Sequence, residues 1–211
     1  NDCWFAEDLQ TTVNAAGDTL VLETDYRYPN DDATLVEKLG LVYTLDAAIG
    51  SCPTGWHLAS DNEWSAAEVA HGMSASDAYD GNSWRGYAER IGLKMRDGSS
   101  PVYLELSSTE RSYIGTNDLG MSLVAEYGLY VNDNWKHTQT MWWTGPTESG
   151  GVRVREFEND PGDYANLDPS SDLWYNRRWG IWRGQWTTDI SEHMAKARCV
   201  RDGRTSAQRV K

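Results

Sequence analysis

The amino-acid sequence predicts an α+β fold with one or two helices, short strands and long loops. Glycines are spread evenly and turn signals recur about every ten residues, which is typical of short strands joined by loops. Ser60 and Glu63 form a capping box, which predicts the start of a helix. Apolar and charged residues alternate over residues 152–157, as they do in a half-buried strand.

The helices are predicted from their start and stop signals. The helix after Ser60 is expected to end near Gly72. It places three side chains on one face: Trp64, Ala67 and His71. Ser74 and Asp77 repeat a weaker capping signal, which predicts a short helix over residues 75–79. One further helical turn is predicted within residues 44–50.

Five segments are predicted to form strands because they are rich in β-branched, apolar and aromatic residues. They are residues 19–24, 122–131, 140–145, 151–158 and 195–202. Residues 159–183 are rich in Asp, Asn, Pro, Trp and Arg and show little periodicity. We interpret this segment as a long loop, and long ordered loops usually carry function.

Composition excludes several classes of partner. The net charge of -13 argues against binding to nucleic acid or to an anionic membrane surface, since both require a basic footprint. No apolar run reaches the roughly 18 residues that a membrane span needs, so membrane insertion is not expected. The chain has 11 Trp, 11 Tyr and only 2 Phe. Rings with a polar edge suit binding faces, although they also fill the core of loop-rich folds.

The cysteines and the missing catalytic motifs favour a non-enzymatic protein. The three cysteines are Cys3, Cys52 and Cys199, without C-x-x-C or zinc-site spacing. They indicate either one long-range disulfide with one cysteine left over, or three free thiols. The four histidines are scattered, and no nucleophile elbow, P-loop or zinc-protease motif occurs.

Five segments together resemble one known family. They are residues 3–13, 52–64 ("CPTGWHLASDNEW"), 117–128, 141–148 and 198–202 ("RCVRD"). The chain resembles the Fibrobacter succinogenes major paralogous domain, a family similar to C-type lectins in fold. The resemblance implies a C-type-lectin-like domain with a small twisted antiparallel sheet over residues 1–203, and an additional strand upstream of Asn1. Residues 204–211 then form a basic tail or linker.

The resemblance also implies specific contacts. It implies a Cys52–Cys199 disulfide that ties the first helical region to the last strand, with core packing beside it by Trp56, Leu58 and Trp64. Trp142 and Trp143 are expected on a central strand, one facing inward and the other partly exposed. The chain departs from the family pattern at Ala59, where Pro is usual, and over residues 193–197, where apolar and aromatic residues are usual.

The strongest candidate binding site is a cationic, aromatic segment in an otherwise acidic chain. It comprises Trp174, Tyr175, Arg177, Arg178, Trp179, Trp182, Arg183 and Trp186. Trp and Arg dominate the energetics of protein interfaces, and aromatic faces stack on the C–H faces of sugars. The alternative is that some of these tryptophans fill the core beneath the loop.

An acidic loop precedes that segment. Its candidate calcium ligands are Asp160, Asp163, Asn166 and Asp168, close to Glu158. Oxygen ligands at short spacing suit Ca²⁺, although the spacing is not that of an EF-hand, and a solvated acidic loop is the alternative. Residues 132–134 form a weaker candidate of the same kind.

These observations lead to two functional hypotheses. In the first, the chain is a non-catalytic extracellular or cell-surface module that binds a glycan or a surface protein through the loops between residues 132 and 186. In the second, it is a structural or tip subunit of a surface appendage or a viral fibre, in contact with neighbouring subunits.

Overall fold

The computed structural model describes residues 3–97, 115–118, 120–124, 139–147, 151–158, 180–186 and 193–203. Within them the chain has the predicted α+β architecture, although it has five helices where one or two were expected. Five short helices are α1 (Val36–Leu39), α2 (Leu45–Ser51), α3 (Asp61–Ala70), α4 (Ala75–Ala78) and α5 (Ile91–Met95), after two 3₁₀ turns at Pro29–Asp31 and Ala33–Leu35. Eight strands are β1 (Tyr26–Arg27), β2 (Val42–Tyr43), β3 (Trp56–Leu58), β4 (Ser83–Arg85), β5 (Gln139–Trp143), β6 (Val152–Glu158), β7 (Ile181–Trp186) and β8 (Cys199–Arg201).

The described strands form three antiparallel sheets. The largest has the order β4-β7-β6-β5, while β1 pairs with β2 and β3 pairs with β8. The register of the large sheet pairs Trp143 with Val154 and Arg155 with Arg183. The strands β6 and β8 lie within predicted segments, and β5 begins one residue before the predicted segment 140–145.

Two strand predictions need correction. Residues 19–24 form turns with isolated bridges at Thr19 and Leu22 rather than a regular strand. The segment interpreted as a loop up to residue 183 contains the start of β7, because Ile181 already pairs with Arg85. The strand predicted over residues 122–131 lies mostly outside the described residues, although Leu123 bridges to Arg96.

Three of the five described helices begin at a side-chain cap. Ser60 accepts a hydrogen bond from the Glu63 amide, and the Glu63 side chain accepts one from the Ser60 amide, so the predicted capping box of α3 is confirmed. Thr44 caps α2 and Ser74 caps α4 in the same way through their hydroxyls. These hydroxyls satisfy backbone amides that would otherwise lack a partner in the first helical turn.

The large sheet is buried on both faces. Met141 and Trp143 of β5 join the first hydrophobic core, and Trp142 between them joins the second. Trp142 and Trp143 are both fully buried, so the expectation that one of them is partly exposed is wrong. Successive side chains of a strand point to opposite faces. Each tryptophan therefore fills a separate core.

The predicted disulfide is confirmed. Cys52, directly after α2, is bonded to Cys199 in β8, across a sequence separation of 147 residues. The two chain ends also meet, because Trp4 bridges to Val200 and the Phe5 amide donates to the Cys199 carbonyl. Backbone hydrogen bonds thus hold the beginning of the described chain to β8, and the disulfide holds the end of α2 to the same strand.

Candidate functional site

The two long connections of the large sheet leave it at one end. Gln139, the first residue of β5, pairs with Glu158, the last residue of β6, and Ile181 begins the neighbouring β7. Residues 125–138 lead into β5, and residues 159–180 join β6 to β7. We call this end of the strands β5, β6 and β7 the loop end. Both segments that carry predicted binding residues are therefore anchored side by side.

Most predicted site residues lie outside the described part of the chain. Among the Trp/Arg candidates these are Trp174, Tyr175, Arg177, Arg178 and Trp179. The calcium candidates Asp160, Asp163, Asn166 and Asp168, and residues 132–134, also lie outside it. Three candidates fall in β7: Trp182, Arg183 and Trp186.

Two of these candidates, Trp182 and Arg183, belong to the frame of the sheet. Trp182 is partly buried and packs against the first core. Its ring lies so close to Gly184 that a side chain at that position would overlap it. Arg183 is only 6% exposed, and two of its nitrogens donate to the Asp61 carboxylate at 2.9 and 2.6 Å. Its third nitrogen donates to the Tyr79 carbonyl at 2.6 Å. Arg183 therefore holds α3 against the sheet, which differs from its expected role on a displayed face.

Four arginines of the sheet face two carboxylates of α3, and we call this group the arginine cluster. It comprises Arg85, Arg153, Arg155 and Arg183 opposite Asp61 and Glu68. The central member is Arg155, which donates to Glu68 at 2.6 Å, to Asp61 at 2.8 Å and to the Ser65 hydroxyl at 3.0 Å. Arg85 donates to Glu68 at 2.7 Å.

Burial and the neighbouring charges shift the pKa values of several members of the cluster. Burial raises the pKa of Asp61, but hydrogen bonds and charge from Arg183 and Arg155 outweigh it and lower that pKa to about 2. Burial is also the main cause that lowers the pKa of Arg85 and of Arg153, and the nearby Arg183 lowers the latter further. With four guanidinium groups and two carboxylates, the cluster has an excess of positive charge.

Sequence reasoning did not find this cluster. Residues 152–157 were expected to direct their charged residues to solvent, yet Arg155 and Glu156 are buried. A usable signal exists in α3, where Asp61, Ser65 and Glu68 recur at helical spacing beside Trp64. A polar helix face of that kind can bury itself only against groups of opposite charge.

A second buried ionic group lies near the chain ends. Asp8 accepts hydrogen bonds from Arg198 at 2.6 Å and from the Trp142 indole at 2.8 Å, and Lys196 lies 3.4 Å from its carboxylate. Lys196 also donates to the carbonyls of Leu39 and Val124. Lys196, which lies in the stretch where the family usually has apolar residues, therefore has buried partners.

His57 connects three parts of the chain. Its Nδ1 lies 2.7 Å from Asp202, and its Nε2 lies 3.0 Å from both oxygens of Glu63. Burial lowers its pKa, but the hydrogen bonds and charges of Asp202 and Glu63 outweigh burial, so its pKa is raised. Glu63 also accepts from the Ser60 hydroxyl at 2.7 Å. The imidazole therefore joins the start of α3 to the end of β8.

Two surface depressions share residues of the N-terminal segment. One, of about 480 Å³, is lined by the aromatic rings of Trp4, Phe5 and Trp56. The other, of about 310 Å³, is lined by acidic residues that include Glu7, Glu37 and Asp97. Within the described residues, no three His, Cys, Asp or Glu side chains are grouped so that they could hold a metal ion.

Comparison with known proteins identifies the family. The chain belongs to the Fibrobacter succinogenes major domain family, and the match covers residues 1–201. No curated protein and no solved structure gives a significant match. None of the helices in the described segments has the length and apolar character that a bilayer crossing requires.

Proposed function

We propose that this chain is a non-catalytic, extracellular recognition module that binds a glycan or a surface protein at the loop end of its large sheet. The proposal depends mainly on the register of that sheet, which anchors residues 125–138 and 159–180 side by side. The second of these segments carries most of the Trp and Arg residues of the candidate site. Binding residues commonly lie on loops that a rigid scaffold positions.

The scaffold beneath the loop end has the rigidity that such a role requires. Asp61 and Glu68 bind three arginines from three neighbouring strands, and each of these contacts is 2.6–2.8 Å long. Buried ion pairs with additional hydrogen bonds restrict the relative motion of the elements that they join. A binding surface held in one conformation loses less entropy when its ligand binds.

The finer fold assignment and the location form part of the proposal. We infer a C-type-lectin-like fold, supported by the disulfide from the first helical region to the last strand and by the pairing of the chain ends. A disulfide also favours an oxidising compartment, which supports an extracellular or cell-surface location. A crystal structure whose strand order differed from that of C-type lectins would overturn the fold assignment.

Binding is tested with the intact chain on glycan arrays and in pull-downs from cell-surface extracts, with and without calcium. Trp179→Ala and Arg178→Ala are expected to abolish capture, because each removes a large contact side chain from the loop. Matched controls are Tyr79→Ala and Arg27→Ala, whose side chains lie outside the candidate loop. Capture that all four variants retained, or no capture by the unaltered chain, would contradict the proposal.

A second candidate function is supported by Cys3. Its thiol is exposed and free, on the segment that pairs with β8. In the alternative function, as a structural or tip subunit of an appendage or fibre, this cysteine bonds to a neighbouring subunit. Non-reducing mass spectrometry of protein from its native source would then show a peptide attached to Cys3, whereas an unmodified thiol would argue against it.

A further inference from the structure

We propose that the open edge of the arginine cluster, at Arg153 beside Gly81 and Gln185, binds an oxyanion, namely a sulfate or carboxylate group of a ligand. Arg153 is the second residue of β6 and pairs with Gln185 near the end of β7. The loop end lies at the opposite end of the same two strands. This site is therefore separate from the proposed recognition surface and does not depend on it.

The first argument is the charge balance of the cluster. Four guanidinium groups face the carboxylates of Asp61 and Glu68, and the exposed Asp80 is the next acidic group among the residues that the structure describes. Asp80 already accepts hydrogen bonds from the Gly81 amide and the Ser83 hydroxyl, each at 2.9 Å. Even with Asp80 included, positive charge remains in excess among these described groups. Burial of charge is costly without an opposite partner, so an anion would stabilise this arrangement.

The second argument is the position of Arg153 within the cluster. Its only ion pair within the described residues joins its Nε to Asp61 at 3.4 Å, and that carboxylate oxygen already accepts from Arg183 at 2.6 Å. Its guanidinium forms no hydrogen bond with another described side chain. The side chain is 21% exposed, whereas those of Arg85, Arg155 and Arg183 are at most 7% exposed. Arg153 is thus the member that a ligand can reach.

The third argument is the shape of the surface in front of Arg153. Gly81 has no side chain, and a Cβ there would lie 3.4 Å from Nη1 of Arg153 and 3.7 Å from Nη1 of Arg183. Two guanidinium groups therefore converge behind one glycine. Gln185, the cross-strand partner of Arg153, is partly exposed and offers an amide. A planar guanidinium donates two parallel hydrogen bonds to a sulfate or carboxylate, and the amide can donate a third.

Arg183 contributes charge to this site rather than hydrogen bonds. Its Nη1 already donates to the carbonyls of Tyr79 and Asp80, and its other nitrogens donate to Asp61. Its charge lowers the pKa of Arg153, after the larger effect of burial. A bound anion would oppose both effects, because it compensates the desolvated guanidinium and screens its like-charged neighbour.

The test is calorimetric titration of the folded protein with sulfate or glucuronate, against glucose as a neutral sugar, at constant ionic strength set with chloride. Binding of either anion is expected in the unaltered chain. Arg153→Gln should weaken it on the order of tenfold or more, since it removes a charge-assisted pair of hydrogen bonds. Arg153→Lys should retain part of the affinity, because it keeps the charge but not the fork. The two anion arms distinguish a sulfate site from a carboxylate site.

Two further variants keep the test decisive. Gly81→Val leaves every charge in place and covers the approach to Arg153, so it should also weaken anion binding. If Arg153→Gln does not fold, Gly81→Val tests the proposal in its place. Arg27→Gln removes an arginine that forms a surface ion pair with Glu23, and should leave the affinity unchanged. No binding of either anion, or equal affinity in the unaltered chain, Arg153→Gln and Gly81→Val, would overturn the proposal.

Discussion

Asp61 connects helix α3 to two strands of the large sheet through its carboxylate. It is 7% exposed and forms ion pairs with three arginines from two neighbouring strands. It is also the first residue of α3, where a negative charge interacts favourably with the helix dipole. The single carboxylate of Asp61 therefore balances the charge of buried guanidinium groups. It also interacts favourably with the dipole at the start of α3.

Asp61→Asn is expected to lower the free energy of unfolding by about 3 kcal/mol at neutral pH, because it leaves buried guanidinium charge uncompensated. The folded-state pKa of Asp61 lies below its unfolded value, at about 2. Its contribution is therefore present above the unfolded pKa and is lost as the pH falls from about 5 toward 2. Urea unfolding measures both effects, and the difference between the two proteins should shrink with acidification.

The control for this prediction is Asp46→Asn, an exposed acidic residue in the first turn of α2. It should change the free energy of unfolding by less than about 1 kcal/mol. Equal effects of the two substitutions would show that the ion pairs of Asp61 contribute little stability.

His57 should make stability depend on pH in the opposite sense. Its folded-state pKa is raised by Asp202 and Glu63, so its contribution is fully present below its unfolded pKa and is lost as the pH rises through the folded value. His57→Gln should therefore destabilise the protein more at about pH 5.5 than at about pH 8.5. Chemical denaturation at the two pH values measures this difference, and an equal effect at both would contradict the assignment.

At the scale of the element, α3 shows where sequence reasoning succeeds and where it fails. Local signals located its start at Ser60 and its end next to Gly72 correctly. Of the face predicted from Trp64, Ala67 and His71, only Trp64 is fully buried. The buried residues are Asp61, Trp64, Ser65 and Glu68. Hydrophobic periodicity cannot identify a face that is buried through ion pairs, because two of the arginines that compensate it, Arg155 and Arg183, lie 87 to 122 residues away in the chain.

The same reasoning explains the outcome for the strands. Residues 140–145 and 151–158 were identified because strand-forming residues occur there in regular runs. Burial of both faces was not foreseen, since Trp143 becomes buried only through packing against distant residues of the first core. Residues 19–24 have a similar composition, yet no neighbouring strand pairs with them along their length. The presence or absence of a neighbouring strand, more than composition, therefore determined which segments became strands.

Ser60→Ala should lower the free energy of unfolding by about 1 kcal/mol, because it removes the hydroxyl that accepts from the Glu63 amide. The same hydroxyl donates to the Glu63 carboxylate. Ser60→Thr is the matched control, since it keeps a hydroxyl at the cap and should retain most of the stability. Thermal unfolding followed by circular dichroism compares them; equal loss in both would point to packing around Ser60 rather than capping.

At the scale of the whole molecule, two contacts join the last strand, β8, and the residue before it to distant parts of the chain. The disulfide joins Cys52 to Cys199, and the Asp8 carboxylate binds Arg198 across 190 residues of sequence. The resemblance to the family was sufficient to predict the disulfide. The ionic contact could not be predicted, because it depends on a fold-specific approach of two segments that show no local signal.

Replacement of both Cys52 and Cys199 by Ala should lower the free energy of unfolding by about 4–5 kcal/mol on the chain-entropy account, given the length of the loop that the bond closes. Cys3→Ser should leave it unchanged, because Cys3 forms no bond within the described chain. Guanidinium denaturation of the three proteins under non-reducing conditions provides the comparison. Equal stability of the double variant and the unaltered chain would show that the unfolded state is already compact without the bond.

The shared anchoring at the loop end also has a consequence for protein engineering. The paired strands β6 and β7 determine the positions of both ends of residues 159–180. Doubling the length of such a segment costs only about 0.6 kcal/mol in closure entropy. The frame therefore suits the grafting of foreign peptides, and libraries of variants could be selected there without redesign of the core.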